Sequence, residues 1–271
     1  FGKAAGDGEE AAFSLSGGSV NPSGLEPGNG YVYHTFTGPG TLTANAPGDV
    51  ELFLIGGGGA GGNGYGGGGG AGALIYRTSV PVTAGSYPIV VGAGGIGSWV
   101  ADPGPNPTSP SSNLLGSDST ALGFTADAGG AGNPSQGEGG SSGGVPGPPG
   151  AGPQSANPST GQPGHPGAAN VESPPVGWGN PGGGRADSVS GGGGGARGAG
   201  GDGHPTGANG GNSAPYPNFA GPLIGLPALN PLGGEYAGGG GAGASTQFGP
   251  NGTGSGGGGG ATAGNIGGWP G

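Results

Sequence analysis

Large apolar side chains gather in residues 31–91 and are sparse elsewhere. Tyr31–Phe36, Val50–Ile55, Leu74–Val82 and Tyr87–Val91 carry them, with the β-branched and aromatic content that suits a pleated surface. Asp49-Val-Glu-Leu-Phe-Leu-Ile55 alternates at first and then turns continuously apolar, which predicts a strand more fully buried at one end. Gly38-Pro39-Gly40 predicts a turn into Thr41-Leu-Thr-Ala44. Pro81 and Pro88 place parts of their strands at sheet edges, since proline cannot donate to a ladder. Val50–Ile55 runs straight into Gly56-Gly-Gly-Gly-Ala-Gly-Gly62, Ala73–Val82 emerges from Gly66–Gly72, and Ser86–Val91 runs into Gly92-Ala-Gly-Gly95. The pattern predicts a small antiparallel β-sandwich or sheet over about 30–91 whose strand ends continue as glycine tracts.

From Ser98 onward the periodicity stops, apart from Leu114–Ala126, which has enough apolar character for one or two short strands. Asp7–Phe13 allows a helical turn. The chain therefore divides into a lead-in or docking segment (1–28), a β-rich module with the first glycine tracts (29–97), and a glycine-rich remainder with Pro/Asn/aromatic loops (98–271). The glycine blocks recur without a fixed period, which excludes a strict-repeat solenoid.

Composition changes this picture. Glycine supplies 84 and proline 29 of the 271 residues, a content normally associated with disorder, and glycine loses the most conformational freedom on ordering. An ordered alternative exists. Consecutive glycines can take the left-handed threefold helix, with about 3.1 Å rise per residue and no internal hydrogen bonds. Such helices pack laterally through their backbones and satisfy N–H and C=O groups in three directions. Any interior side chain larger than Ala would be a steric fault. Eight blocks fit: 56–64, 66–72, 92–97, 128–132, 137–144, 191–203, 237–244 and 254–264. The expected fold is mainly β and irregular: a small antiparallel β-sandwich or sheet continuing into packed polyglycine II helices with long loops and few or no α-helices.

Charge and motifs narrow the function. The net charge is −10, with only Lys3, Arg77, Arg185 and Arg197 as cations; this excludes sequence-independent nucleic-acid binding. No run has the apolar length of a membrane span, so no membrane insertion is expected. There is no cysteine and hence no disulfide. Gly92-Ala-Gly-Gly-Ile-Gly97 follows a β run and Asp118 lies about 20 residues on, as in a dinucleotide fingerprint. However, Pro103, Pro105 and Pro107 prevent the helix that fingerprint needs. The collagen-like triplets in 144–150 and 161–167 break too soon for a triple helix, and Gly200-Gly-Asp-Gly-His204 lacks the register of a calcium-binding repeat. His34, His165 and His204 stand far apart, and no serine sits in a nucleophile elbow. No enzyme activity, cofactor or metal is expected. What remains is aromatic: Trp99, Trp178, Tyr216, Phe219, Tyr236 and Trp269 lie mostly beside Pro, Asn and Gly. They are candidates for contact loops that meet a receptor, or for caps over the open ends of the bundle.

The ordered run of motifs also carries a resemblance. Tyr31-x-x-x-x-Phe-Thr-Gly-x-Gly-Thr-Leu-Thr43, Val50-Glu-Leu-Phe-Leu-Ile-Gly-Gly-Gly-Gly59, Gly67-Gly-Gly-Gly-Ala-Gly-Ala73 and Val82-Thr-Ala-Gly-Ser-Tyr-Pro-Ile-Val-Val-Gly-Ala-Gly-Gly95 resemble the glycine-rich domain of bacteriophage tail and fibre proteins. Ser119-Thr-Ala-Leu-Gly-Phe-Thr-Ala-Asp-Ala-Gly-Gly130 and Tyr236-Ala-Gly-Gly-Gly-Gly-Ala-Gly243 fit it too, so the resemblance covers about 30–271. The tract is similar in kind to the receptor-binding adhesins at the fibre tips of T-even-like phages, where packed polyglycine II helices present variable loops. Two departures stand out: the chain stops at Gly267-Gly-Trp-Pro-Gly271 without the family's closing apolar strand, and its β module is larger than a tip adhesin needs. The resemblance implies an extracellular virion protein of the tail fibre or tail tip. Its expected partners are other virion proteins, with a homotrimer among the expected assemblies, and a host cell-surface glycan or protein. The alternatives are a purely structural head fibre or capsid decoration and an ice-binding protein.

Overall fold

The computed structural model describes residues 12–18, 23–61, 67–96, 116–132, 180, 182–184, 190–203, 208–226 and 234–242. Within them nine strands follow in chain order: β1 Leu15–Ser16, β2 Gly40–Ala44, β3 Gly48–Ile55, β4 Leu74–Val82, β5 Gly85–Ile89, β6 Ser119–Ala121, β7 Phe124–Ala126, β8 Ala214–Pro215 and β9 Glu235–Tyr236. A single 3-10 turn, Pro217–Phe219, is the only helical element among the described residues. The chain is mainly β and irregular, as the apolar pattern requires. The Asp7–Phe13 turn lies almost wholly outside the described residues.

β1, β2 and β5 form one antiparallel sheet in that order, and β3 pairs with β4 as an antiparallel ribbon. Pro88 falls opposite Thr41 on β5 at the end of the sheet order, and Pro81 falls opposite Asp49 in the two-stranded ribbon. Both prolines thus occupy positions with a side free of ladder partners. β6 and β7 make a hairpin over Leu122 (φ 51°) and Gly123 (φ 83°), and two left-handed residues match the twist of the flanking strands. Leu42 and Ile89 from the sheet, Leu52, Leu54, Ile75 and Val80 from the ribbon, and Ala121 and Ala126 from the hairpin close one core. Because side chains alternate along a strand, Phe53, Ile55, Leu74 and Tyr76 fall on the opposite face of the ribbon. There they pack on Tyr216, Phe219 and Tyr236 in a second cluster. The ribbon is therefore covered on both sides.

β3 passes into the tract 56–61, and β4 grows out of the tract 67–73. The backbone bonds of these tracts repeat every third residue, as a threefold helix dictates. Gly56 and Gly59 donate to the carbonyls of Ala73 and Gly70 (2.9 and 2.8 Å). Gly57 and Ala60 accept from Gly129 and Gly132 (2.7 and 3.0 Å). Gly67, Gly70 and Ala73 donate to Gly132, Gly130 and Asp127 (2.9, 2.7 and 2.8 Å), whereas Gly68 and Ala71 donate to Gly191 and Gly194 (both 3.0 Å). Gly69 accepts from Gly240 (2.9 Å). The tract 67–73 thus lies among four others, and the described parts of the expected blocks pack as polyglycine II helices in a bundle, with one difference. Block 191–203 folds back at 196–198, where Gly195 donates to Gly198 O and Gly192 to Gly201 O (both 2.9 Å), and so makes two tracts instead of one. Blocks 137–144 and 254–264 lie outside the described residues. The same period shows at the surface, where Ala199 and Asp202, then Asn209 and Asn212, are exposed three residues apart.

Glycine here serves closeness rather than unusual dihedrals, for the described glycines of these tracts all lack positive φ. A Cβ on Gly57, Gly59, Gly68, Gly69, Gly72, Gly129 or Gly193 would meet a backbone carbonyl well inside 3.0 Å. Carbonyls so placed make Cα–H···O contacts with the real glycines, a second-order attraction that recurs between tracts. Alanine enters where a methyl fits: Ala60 and Ala131 form a buried pair, and Ala71, Ala196 and Ala237 join the aromatic cluster. Short polar side chains complete the backbone pairing. Asp202 Oδ1 accepts from the Gly184 amide (2.7 Å), Asp118 Oδ1 from the Ala128 amide (2.8 Å), and Asn180 Nδ2 donates to the carbonyls of Gly195 and Ala196 (2.7 and 3.0 Å).

Candidate binding surface

The outer face of the β3–β4 ribbon carries the densest aromatic surface of the described residues. Phe53 and Tyr76 stand opposite each other in register. Phe219 stacks on Phe53 (centroids 4.5 Å, planes 11° apart), Tyr236 meets Phe53 edge-on at 4.9 Å, and Tyr216 meets Tyr76 edge-on at 5.4 Å. The loop that brings these rings is held at both ends. β8 pairs with β9, the Tyr216 amide donates to Gly234 O (2.6 Å), and the turn at Pro217–Phe219 sets Phe219 over the ribbon. Two side chains from the segment preceding β2 then clasp the loop from above. Tyr33 Oη donates to Asn218 O (2.8 Å) and Thr35 Oγ1 donates to Ile224 O (2.8 Å).

At the margin of this cluster stands a carboxylate. Glu51 of β3 is half-buried; its Oε1 accepts from Tyr31 Oη (3.1 Å) and its Oε2 from Tyr76 Oη (3.0 Å). Tyr31 is placed by Asn29, whose Oδ1 accepts from the Tyr31 amide (3.2 Å) while its Nδ2 donates to Tyr33 Oη (2.9 Å). Tyr31 is 44% exposed and the neighbouring Val32 51%, so this corner is open to solvent. Burial, then the hydrogen bond to Glu51, pushes the Tyr76 phenol up to about 12. The Tyr31 phenol is raised too, first by its hydrogen bond to the same carboxylate. Burial alone pushes Tyr236 up to about 12, and its hydroxyl donates to the Phe219 carbonyl.

Of the six aromatics singled out from sequence, Tyr216, Phe219 and Tyr236 converge on this surface, whereas Trp99, Trp178 and Trp269 lie outside the described residues. Tyr236 is 6% exposed and serves the cluster's interior; Tyr216 and Phe219 are half-buried at its rim. Sequence reasoning passed over Tyr31, Glu51 and Tyr76, which read as ordinary strand and loop positions. The available signal was their phase: Glu51 and Phe53 share a face of β3, two residues apart.

Of the other sequence motifs, the collagen-like triplets in 144–150 and 161–167, His165 and His204 lie outside the described residues, and the described ones are used within the fold. In the fingerprint-like segment, the Gly92 amide donates to Ser119 Oγ (2.9 Å) and the Gly95 amide to Gly58 O (2.8 Å), so these groups serve packing. His34 Nδ1 lies 2.7 Å from the Gly17 carbonyl and therefore carries the proton there. No group of three or more metal-ligating side chains occurs among the described residues. No helix among them is long and apolar enough to cross a membrane. A family model described as a glycine-rich domain matches residues 35–271. No curated protein and no solved structure matches the chain.

Proposed function

The chain belongs to the glycine-rich domain family, and from that footing we propose that it is a virion structural protein of a phage tail fibre or tail tip that contributes to host attachment. The bundle acts as the rigid support, and the aromatic loop 214–226 with the segment 29–36 provides contact surface. One observation carries this reading. The loop is clamped by the β8–β9 pair, by Tyr33 and Thr35, and by stacking on Phe53. Recognition loops gain affinity when their ordering cost is met before binding. The motif run from Tyr31 to Gly95 supports the phage assignment by resemblance.

Gold-labelled antibody against the chain, applied to particles of the phage that encodes it, is expected to mark the tail tip or fibre. Excess purified chain is expected to slow adsorption to host cells. Label confined to the head shell, with adsorption unchanged by the purified chain, replaces this reading with a capsid decoration.

A further inference from the structure

The corner at Glu51 has an unusual inventory of hydrogen-bonding groups. An ionised carboxylate only accepts. Both neighbouring phenols direct their single proton onto it, Tyr31 onto Oε1 and Tyr76 onto Oε2. What the two phenols then offer outward is lone pairs. Three side chains thus present four oxygens that accept and none that donates, with one negative charge among them.

No cation among the described residues supplies the missing partner. Arg77 lies on the other face of the ribbon, its guanidinium 5.4 Å over the Phe124 ring, with Nη1 donating to the Tyr76 carbonyl (2.8 Å). Arg197 stands exposed at the end of a bundle tract, bonded through its amide to Asn212 O. A half-buried carboxylate beside aromatic surface is better satisfied by a charge-assisted donor than by water, and the chain's net charge of −10 favours the approach of cations.

We propose that Glu51, Tyr31 and Tyr76 form a binding site for a primary ammonium group, and that its ligand is an amino sugar. An ammonium offers three N–H donors and no acceptor, which matches an array of acceptors alone. The adjoining surface favours a sugar over a lysine side chain. The exposed ring of Tyr31 gives a flat apolar face for sugar C–H groups, as amphipathic aromatics do at wet interfaces. Asn29 beside it keeps one amide proton for a hydroxyl, since its other groups are used on Tyr31 and Tyr33. The site rests on the attachment reading only for its biological setting; the chemistry belongs to the isolated chain.

The test is titration of the full chain with a glucosamine trisaccharide and with its fully N-acetylated counterpart, at a pH where the free amines are protonated. The amine form is expected to bind and to weaken as salt rises, and the acetylated form to show no binding. Glu51→Gln, which keeps the length of the side chain, and Tyr31→Phe, which removes one exposed phenol oxygen, are each expected to weaken binding about tenfold or more. Circular dichroism and the melting temperature confirm that each variant is folded. Equal binding of both sugars, unchanged affinity in the two variants, absence of binding, or equal affinity for a lysine-containing peptide would each overturn the proposal. If the purified chain slows phage adsorption but ignores the amine, this site falls and attachment stands. If it binds the amine yet leaves adsorption unchanged, the site stands and attachment falls.

Discussion

Gly72 and Gly38 are the same residue under opposite constraints. A Cβ on Gly72 would collide with the carbonyl group and Cα of Gly56, all backbone of the adjoining tract, whereas a Cβ on Gly38 would meet nothing within 4 Å. Backbone locked in a bundle cannot move aside, so Gly72→Ala is expected to cost about 2–3 kcal/mol or more in urea unfolding. Gly38→Ala, with no left-handed φ to disturb, is expected to be neutral or to stabilise by about 0.4–1 kcal/mol. Equal midpoints for the two variants would contradict the steric account. The tyrosines respond to pH by a related logic. Tyr76 and Tyr236 ionise near 12 in the folded chain and near 10.0 when unfolded, so the folded state holds its protons longer. The stability this contributes is whole below about pH 10 and is lost as pH rises toward 12. A tyrosinate absorbance titration is expected to show late phenols ionising together with unfolding; a single transition near 10 with the fold intact would count against it. Sequence alone showed which blocks are glycine, but not which glycines are indispensable. That depends on a carbonyl supplied by a distant tract, just as the character of Glu51 depends on Tyr31 arriving from another loop.

At the scale of elements, the tracts have a phase as strands have a register. Gly67, Gly70 and Ala73 face one neighbour, and Gly68 and Ala71 another. Removing one residue between 68 and 71 turns everything beyond it by about 120° in a threefold helix. Buried amides then face the wrong neighbours, at about 1–3 kcal/mol for each one left unpaired. Deleting Gly69 is therefore expected to prevent folding or to lower the melting temperature far more than deleting Gly28. Gly28 borders open space in an exposed turn. Near-equal melting temperatures for the two deletions would show that the tract phase is not structural. The strands that feed into tracts were legible because their apolar runs are long, and β3, β4 and β5 follow the pattern closely. Tyr31–Phe36, a run of the same kind, forms no strand but only the bridge between Tyr33 and Leu25, because its side chains are used on the loop at 216–224 instead of in a ladder. β8 and β9, two residues each, were not. Their pairing is created by the aromatic cluster and leaves no periodicity of its own in the chain.

For the molecule as a whole, the arrangement argues against a β module with a loosely attached glycine tail. Composition divides the chain near residue 97, yet the second cluster crosses that division: Phe53, Leu74 and Tyr76 from one side pack on Ala196, Ala214, Phe219 and Tyr236 from the other. The tract 67–73 is also the direct continuation of β4 and the bonded neighbour of tracts on both sides of the division. With no disulfide to hold either part, each depends on the other for burial, so unfolding is expected to be a single cooperative transition. Phe219→Ala tests this most directly, because the ring stacks on Phe53 and belongs to neither the bundle nor the ribbon alone. Its half-buried site predicts a loss of about 2–3 kcal/mol, below that of a fully buried phenylalanine. Native-state hydrogen exchange gives the sharper readout. The amides of Gly68, Gly70, Ala71 and Gly193 are bonded between tracts and buried, so they are expected to exchange as slowly as those of the β3–β4 ladder, and Phe219→Ala should speed both sets by the same factor. Glycine amides exchanging freely beside a protected ladder would mean that the tracts are not a core, and a β module that unfolds apart from them would mean that the cluster does not join the two.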